Sequence, residues 1–139
     1  MISVVDVETS WQVTDTGGYD PSPFHPDNIL VSVGINDEYY FTNHSEKVDK
    51  GCYDKIQSTL DNTTLLVGHN IKFDLMWLLE AGFKYTGRVY DTMLGEYILN
   101  RGIRKSLTLE MSCRRRRIGS KDSRIKEFTD RGIPFQNIP

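Results

Sequence analysis

The chain has 139 residues, of which 38% are hydrophobic and 26% charged, and its formal net charge is −2. This length suits one domain with one sizeable core, and no apolar run approaches the roughly 20 residues that cross a bilayer. The first residues lack the positive flank and cleavage site of a signal peptide. We therefore predict a cytoplasmic domain with no membrane partner. Cys52 and Cys113 are expected to be reduced, because their spacing suits neither a metal site nor a disulfide framework.

Charge is distributed unevenly along the chain. Residues 1–100 contain 6 Lys or Arg against 15 Asp or Glu, a balance of −9. Residues 101–126, called here the basic segment, contain 10 Lys or Arg against Glu110 and Asp122, a balance of +8. Such asymmetry is typical of a phosphate-contacting segment beside an acidic body, and a solvated charged helix and loop gives the same pattern.

The predicted elements alternate between strands and helices. Strands are expected at residues 2–7, 29–35, 39–41, 65–67 and 89–90, and helices at 52–60, 71–81, 92–99 and 107–115. A long polar loop is expected over 9–28, and the last 20 residues show no convincing period. This order predicts an α/β fold, with a mixed sheet flanked by helices.

The stretch VVDVETS, residues 4–10, begins as a buried strand and ends in two acids. Residues two apart on a strand lie on the same face, so Asp6 and Glu8 are expected to point the same way. Two nearby carboxylates disfavour each other's ionisation unless a cation or a proton intervenes. The pattern is therefore costly for a strand that serves only the core.

A second group of polar residues lies in LLVGHNIKFDLMWLLEAG, residues 65–82. Asn70 occupies the expected helix N-cap, and Asp74 follows one turn later on the apolar side of the helix. A carboxylate buried there needs a partner. Plain capping by Asn70 and a favourable interaction of Asp74 with the helix dipole are the simpler interpretations. The functional interpretation is that three acids, Asp6, Glu8 and Asp74, converge on magnesium or manganese, both of which favour oxygen ligands.

Three stretches in order, DVET, VGHNIKFD and YDTMLGEYILN, resemble the proofreading 3′–5′ exonuclease domain of family A DNA polymerases, phage members included. The resemblance covers about residues 3–110. The wider group is the DEDD exonucleases. The resemblance implies a ribonuclease H-like mixed sheet, in which strands 1–3 are antiparallel and the others parallel.

The resemblance also implies functions for individual residues. Asp6, Glu8 and Asp74 match the catalytic acids, which ligate two divalent cations, magnesium or manganese. The positions that match residues on the substrate side are Thr9, His69, Asn70 and Phe73. Asp91 recurs in the family without ligating metal, and we expect it to cap its own helix.

The implied reaction is removal of nucleoside 5′-monophosphates from the 3′ end of single-stranded DNA. By the resemblance, two cations clamp the scissile phosphate and activate a water. The basic segment would neutralise the phosphate backbone behind the cleaved bond. A phage protein with this activity would work in the host cytoplasm, in DNA replication.

The chain departs from the family pattern in one respect. The family has a fourth carboxylate in a Tyr-x-x-x-Asp motif, but the last tyrosine here is Tyr97 and the later aspartates, Asp122 and Asp130, lack a tyrosine at that spacing. We therefore expect a single domain over residues 1–139 that is incomplete at its carboxyl end and impaired in catalysis. A polymerase domain or a second chain would supply the missing helix. A non-catalytic nucleic-acid-binding or polymerase-associated module, and a ribonuclease, are the alternatives.

Overall fold

The computed structural model describes residues 1–119 and 124–139. The strands are β1 (Ile2–Thr9), β2 (Gln12–Val13), β3 (Tyr19–Asp20), β4 (Leu30–Ile35), β5 (Glu38–Phe41), β6 (Leu65–Gly68) and β7 (Arg88–Asp91). The helices are α1 (Cys52–Asp61), α2 (Ile71–Glu80), α3 (Thr92–Leu99), α4 (Leu109–Arg116) and α5 (Arg124–Asp130), followed by a 3₁₀ turn at Phe135–Asn137.

Five of the strands form one mixed sheet in the order β5-β4-β1-β6-β7. β1, β4 and β5 pair antiparallel, whereas β6 pairs parallel with both β1 and β7. The prediction of an α/β fold with antiparallel strands first and parallel strands after them is confirmed. Both cysteines are free thiols, also as predicted.

The hydrophobic core lies on one face of this sheet. Along β1 the side chains of Val5 and Val7 are 2% and 6% exposed, and they pack with buried residues of α1 and α2. The alternate positions Ile2 and Val4 are 64% and 55% exposed. Because side chains alternate along a strand, Asp6 and Glu8 share the open face with Ile2 and Val4. The one-sided burial therefore places both acids away from the core.

The predicted long loop is ordered by specific hydrogen bonds. It contains the β2–β3 hairpin, which the sequence did not predict because each strand has only two residues. The Asn28 amide donates to the carbonyl oxygens of Asp20 and Ser22, at 2.8 and 2.9 Å. Trp77 Nε1, on α2, donates to the Pro21 carbonyl at 3.1 Å. These bonds fix the loop against α2.

The last 20 residues, for which the sequence predicted no element, contain regular structure. α5 and the 3₁₀ turn lie there. The 3₁₀ turn is held by tertiary contacts: Ser45 N–H donates to the Gln136 carbonyl at 2.9 Å, and a ring nitrogen of His44 contacts the Ile138 carbonyl at 2.7 Å. Lys121 and Asp122 of the basic segment lie outside the described residues. Over the described ranges, no helix is long and apolar enough to cross a membrane.

Shortening a core side chain tests the placement of the core. Leu66 on β6 is 0% exposed, so Leu66→Ala should lower the free energy of unfolding by about 2–5 kcal/mol through lost burial and a cavity. Leu79→Ala on α2 is the matched control, because Leu79 is 54% exposed. Urea unfolding of the two variants should differ by more than about 1.5 kcal/mol. Equal losses would contradict this description of the core.

Candidate active site at the carboxyl edge of the sheet

The carboxyl ends of the three parallel strands meet at one edge of the sheet. β6 pairs with β1 as far as Val4↔Val67, and β7 pairs with β6 as far as Gly68↔Asp91. β1 continues beyond this point, through Asp6 and Glu8, without β6 beside it. Open α/β sheets bind ligands at this edge. The predicted site residues on β1, on the β6–α2 connection and in the first turn of α2 therefore share one region.

A single hydrogen bond joins the two predicted motifs. Val7, between Asp6 and Glu8, donates its backbone N–H to Oδ1 of Asp74 at 3.0 Å. Because the β1–β6 ladder has already ended, a side chain from α2 occupies the place of a strand carbonyl. The sequence predicted that Asp74 would be buried and need a partner. The structure confirms both points, since Asp74 is 3% exposed and the partner is the strand backbone.

Burial dominates the electrostatics of Asp74. The pKa of Asp74 is raised to about 7: desolvation by burial is the largest cause, the negative charges of Asp6 and Asp91 add to the rise, and the Val7 N–H opposes it. A carboxylic acid with such a pKa exchanges its proton near neutrality. Perturbed groups of this kind are concentrated at functional sites. The Val7 hydrogen bond places Asp74 beside the residue that follows Asp6 in the chain.

Glu8 lies beside an irregularity in the sheet. Pairing of β1 with β4 shifts between Glu8↔Ser32 and Thr9↔Leu30, so Val31 is an extra residue on β4. Such bulges re-aim side chains and are over-represented next to active sites. Glu8 is partly exposed, and Asp6 is exposed. Thr9 is 6% exposed, so most of its surface faces the protein interior.

The β6–α2 connection is shaped by Gly68 and Asn70. A Cβ on Gly68 would lie 2.9 Å from Cγ1 of Ile71, so only glycine allows α2 to start this close to β6. Asn70 has φ 63, a left-handed conformation that asparagine adopts more readily than most residues. It occupies the predicted N-cap position, but its side chain makes no capping hydrogen bond. The amide group is exposed at the rim of the site.

Asp91 holds this connection in place. Its Oδ1 accepts from the backbone N–H of Met93 at 2.8 Å and of Leu94 at 3.4 Å, which confirms the predicted cap of α3. The same oxygen accepts from the Asn70 N–H at 3.0 Å. Asp91 thus links the start of α3 to the start of α2. Its function here is positioning.

Two further predicted site residues have protein contacts. His69 Nδ1 lies 3.0 Å from Oγ1 of Thr92, and Nε2 lies 2.7 Å from the Leu107 carbonyl. Both ring nitrogens are therefore engaged within the chain. Phe73 is partly buried and packs against the core. The substrate contacts predicted for Thr9, His69, Asn70 and Phe73 stay predictions.

Sequence reasoning missed Tyr39 on β5. Register places Asp6, Gly34 and Tyr39 side by side across three strands, and a Cβ on Gly34 would lie 3.4 Å from the Tyr39 ring. The Tyr39 hydroxyl hydrogen-bonds to Oγ of Ser32. Burial raises the pKa of Tyr39, and the negative charges of Glu8 and Asp6 raise it further. A lone glycine inside the predicted second strand was the signal that a ring lies across it.

The candidate acids suit a metal ion in kind, because carboxylate oxygens favour magnesium and manganese. They do not suit it in arrangement: across the described residues, no three or more His, Cys, Asp or Glu side chains are grouped to hold a metal ion. The predicted convergence of three acids on shared ions is therefore not seen here. Metal binding by Asp6, Glu8 and Asp74 stays a prediction.

Replacing Asp74 with asparagine should make the free energy of unfolding less dependent on pH. The folded protein holds the Asp74 proton more tightly than the unfolded chain does, because the folded pKa is about 7 against 3.8. The stability from this group is complete below about pH 4 and is lost as pH rises to about 7, by roughly 4 kcal/mol. Asp74→Asn stays neutral and keeps an oxygen for Val7. In urea unfolding, the free energy of unfolding of Asp74→Asn relative to that of the wild type should therefore increase between pH 5 and pH 8.

The control for this experiment is Asp37→Asn, in the exposed β4–β5 turn. Its stability should follow that of the wild type at every pH. If the gap between Asp74→Asn and the wild type is the same at pH 5 and pH 8, then Asp74 does not titrate near neutrality in the folded protein.

Comparison with known families gives one match. Residues 14–110 match the model of the 3′–5′ exonuclease domain of family A DNA polymerases. The matched range contains His69, Asn70, Phe73 and Asp74, whereas Asp6 precedes it together with Glu8 and Thr9. A comparison with curated proteins gave no match. The match covers well over half of the chain and agrees with the mixed sheet, so the chain belongs to the 3′–5′ exonuclease family of polymerase proofreading domains.

Proposed function

We propose that this chain is a divalent-cation-dependent exonuclease that removes nucleoside 5′-monophosphates from the 3′ end of a DNA strand. Asp6, Glu8 and Asp74 are its catalytic acids in this proposal. The observation that carries it is the 3.0 Å hydrogen bond from Val7 N–H to Asp74. That bond attaches the acid of one motif to the strand residue between the two acids of the other. A buried acid of this kind, unneeded for packing, is explained by use in a reaction.

The residues around these acids suit the end of a DNA strand. The exposed Asn70 amide offers a donor and an acceptor at the rim. The partly buried Phe73 ring offers an apolar surface, on which any base stacks. Divalent cations, when bound, would neutralise charge at the scissile phosphate and activate a water. Asp74 must be ionised to take part as a carboxylate, so activity should rise between pH 6 and 8.

The proposed activity is low compared with that of a domain carrying four acids. No tyrosine follows Tyr97, so the chain has no Tyr-x-x-x-Asp motif at a later helix. Losing one ligand from a metal-assisted hydrolase weakens both metal affinity and water positioning. We therefore expect DNA shortening at a measurable but slow rate. The assay uses manganese in preference to magnesium.

One observation favours a second candidate, a nucleic-acid-binding module without catalysis. Among the side chains that the structure describes, no cluster of three potential metal ligands is formed. A domain that kept the fold and lost the chemistry would have this arrangement. It would bind DNA without shortening it.

The nuclease assay uses a single-stranded DNA labelled at its 5′ end, incubated with protein and manganese. Exonuclease action from the 3′ end should give a ladder of labelled strands that shorten with time. Asp6→Asn should slow this by about 100-fold or more, because a charge-stabilising contact worth several kcal/mol is lost. Asp37→Asn removes one exposed acid elsewhere and should leave the rate unchanged.

Four other outcomes decide against the proposal. Immediate release of the labelled nucleotide would show the opposite polarity. Intact DNA with tight binding would favour the binding module. Faster shortening of an RNA strand of the same sequence would make the chain a ribonuclease. A rate unaffected by a chelating agent would exclude the proposed cation dependence.

A further inference from the structure

Seven of the ten arginines and lysines of the basic segment fall into two groups. Three arginines on α4 are neutralised within the protein: Arg114 pairs with Glu110 at 2.7 Å, and Arg115 and Arg116 pair with Glu96 at 3.1 and 2.8 Å. Four exposed residues make no ion pair with any part of the chain that the structure describes: Arg101, Arg104, Lys105 and Arg117. Of these seven, only the second group has charge available for a ligand.

The neutralised arginines determine where the unpaired ones lie. Glu96 on α3 is 8% exposed, and its two arginine partners lower its pKa and hold α4 against α3. Arg115 also donates to the Ser106 carbonyl at 2.7 Å. This contact brings the end of α4, with Arg117, beside the connection that carries Lys105. The paired charges therefore act as a scaffold for the unpaired ones.

His69 places this group at the candidate active site. One of its ring nitrogens lies 2.7 Å from the Leu107 carbonyl, two residues after Lys105. The next residue along the chain from His69 is Asn70, whose amide lies at the rim of the site. The connection over residues 101–107 is thus fixed alongside the β6–α2 turn. This contact holds Leu107, and with it the end of the connection that carries Lys105, beside the β6–α2 turn.

Backbone conformation supports a function for two of these cations. Arg101 has φ 50 and Arg117 has φ 57, at the ends of α3 and α4. Glycine or asparagine adopts this left-handed conformation at lower cost. Arginine at both positions is not explained by the turns themselves. Strained residues of this kind are concentrated at functional sites.

We propose that Arg101, Arg104, Lys105 and Arg117 form a cationic border that binds the sugar-phosphate backbone of a nucleic-acid strand on the 5′ side of the nucleotide in the site. This rests on the proposed function. The body of the domain, residues 1–100, has a charge balance of −9 and repels a polyanion. The border supplies the attraction that brings a strand to this acidic edge. In this account His69 positions the border through its contact with the Leu107 carbonyl.

The test measures how DNA affinity depends on salt. A variant with Arg101→Asn, Arg104→Gln, Lys105→Gln and Arg117→Asn removes four cations, with asparagine placed where φ is positive. The slope of log affinity against log salt should become shallower by about 2 to 3, since each phosphate contact on a single strand contributes about 0.7. The affinity of the variant and of the wild type for a 20-nucleotide single strand is measured at several salt concentrations. Circular dichroism confirms that the variant is folded.

The matched control removes four exposed lysines from the body, Lys47, Lys50, Lys55 and Lys84, each changed to Gln. It changes net charge by the same amount. If the border, and not net charge, binds the strand, the salt slope of this control should differ from the wild-type slope by no more than about 0.7, the contribution of one phosphate contact. A three-nucleotide strand is too short to reach the whole border. The border variant should therefore lose less of its cleavage rate on this strand than on the 20-nucleotide strand.

The outcomes separate this proposal from the function on which it rests. If the wild type shortens DNA and the border variant has the wild-type slope, the border is wrong and the nuclease stands. If the lysine control loses as much slope as the border variant, the attraction is only net charge. If the wild type binds polyglutamate as tightly as DNA, the surface is for an acidic protein. If it binds no nucleic acid at all, both proposals fail.

Discussion

The hydrogen bond from the Val7 backbone to Asp74 is the contact on which the rest of the site depends. It forms because the pairing of β1 with β6 ends at Val4, three residues before Val7. The N–H of Val7 is therefore left to be satisfied by a side chain. Gly68 allows α2 to start close enough to provide that side chain. A backbone ladder that stops early, a glycine and a first-turn acid thus combine to bring two distant parts of the chain together.

The cost of this arrangement explains the chemistry of the site. Asp74 is buried near Asp6 and Asp91, so its charged form is disfavoured and its pKa rises to about 7. A protein selected only for stability would have an apolar residue or an amide at this position. An acid that loses its proton near neutrality is useful where a nearby cation or reacting group changes the balance. The stability lost as pH rises to about 7 is thus tied to the function proposed for the same residue.

Much of the fold could be predicted because local patterns agreed with burial. Alternation along β1 correctly placed Asp6 and Glu8 on one face of the strand, and helical periodicity placed Asp74 on the apolar side of α2. The features that escaped prediction depend on long-range contacts. His69 meets the Leu107 carbonyl across 38 residues, which no local pattern shows. The β2–β3 hairpin is too short to have a period. The 3₁₀ turn near the carboxyl end is held by His44 and Ser45 from elsewhere in the chain.

The most direct test of the account is the titration of the Asp74 carboxyl carbon by NMR, in the wild type and in Asp6→Asn. With Asp74 buried beside Asp6, the wild-type midpoint should lie near pH 7 and should fall when the Asp6 charge is removed. A midpoint near the ordinary value of 3.8, unchanged in Asp6→Asn, would show that the two acids do not share a site.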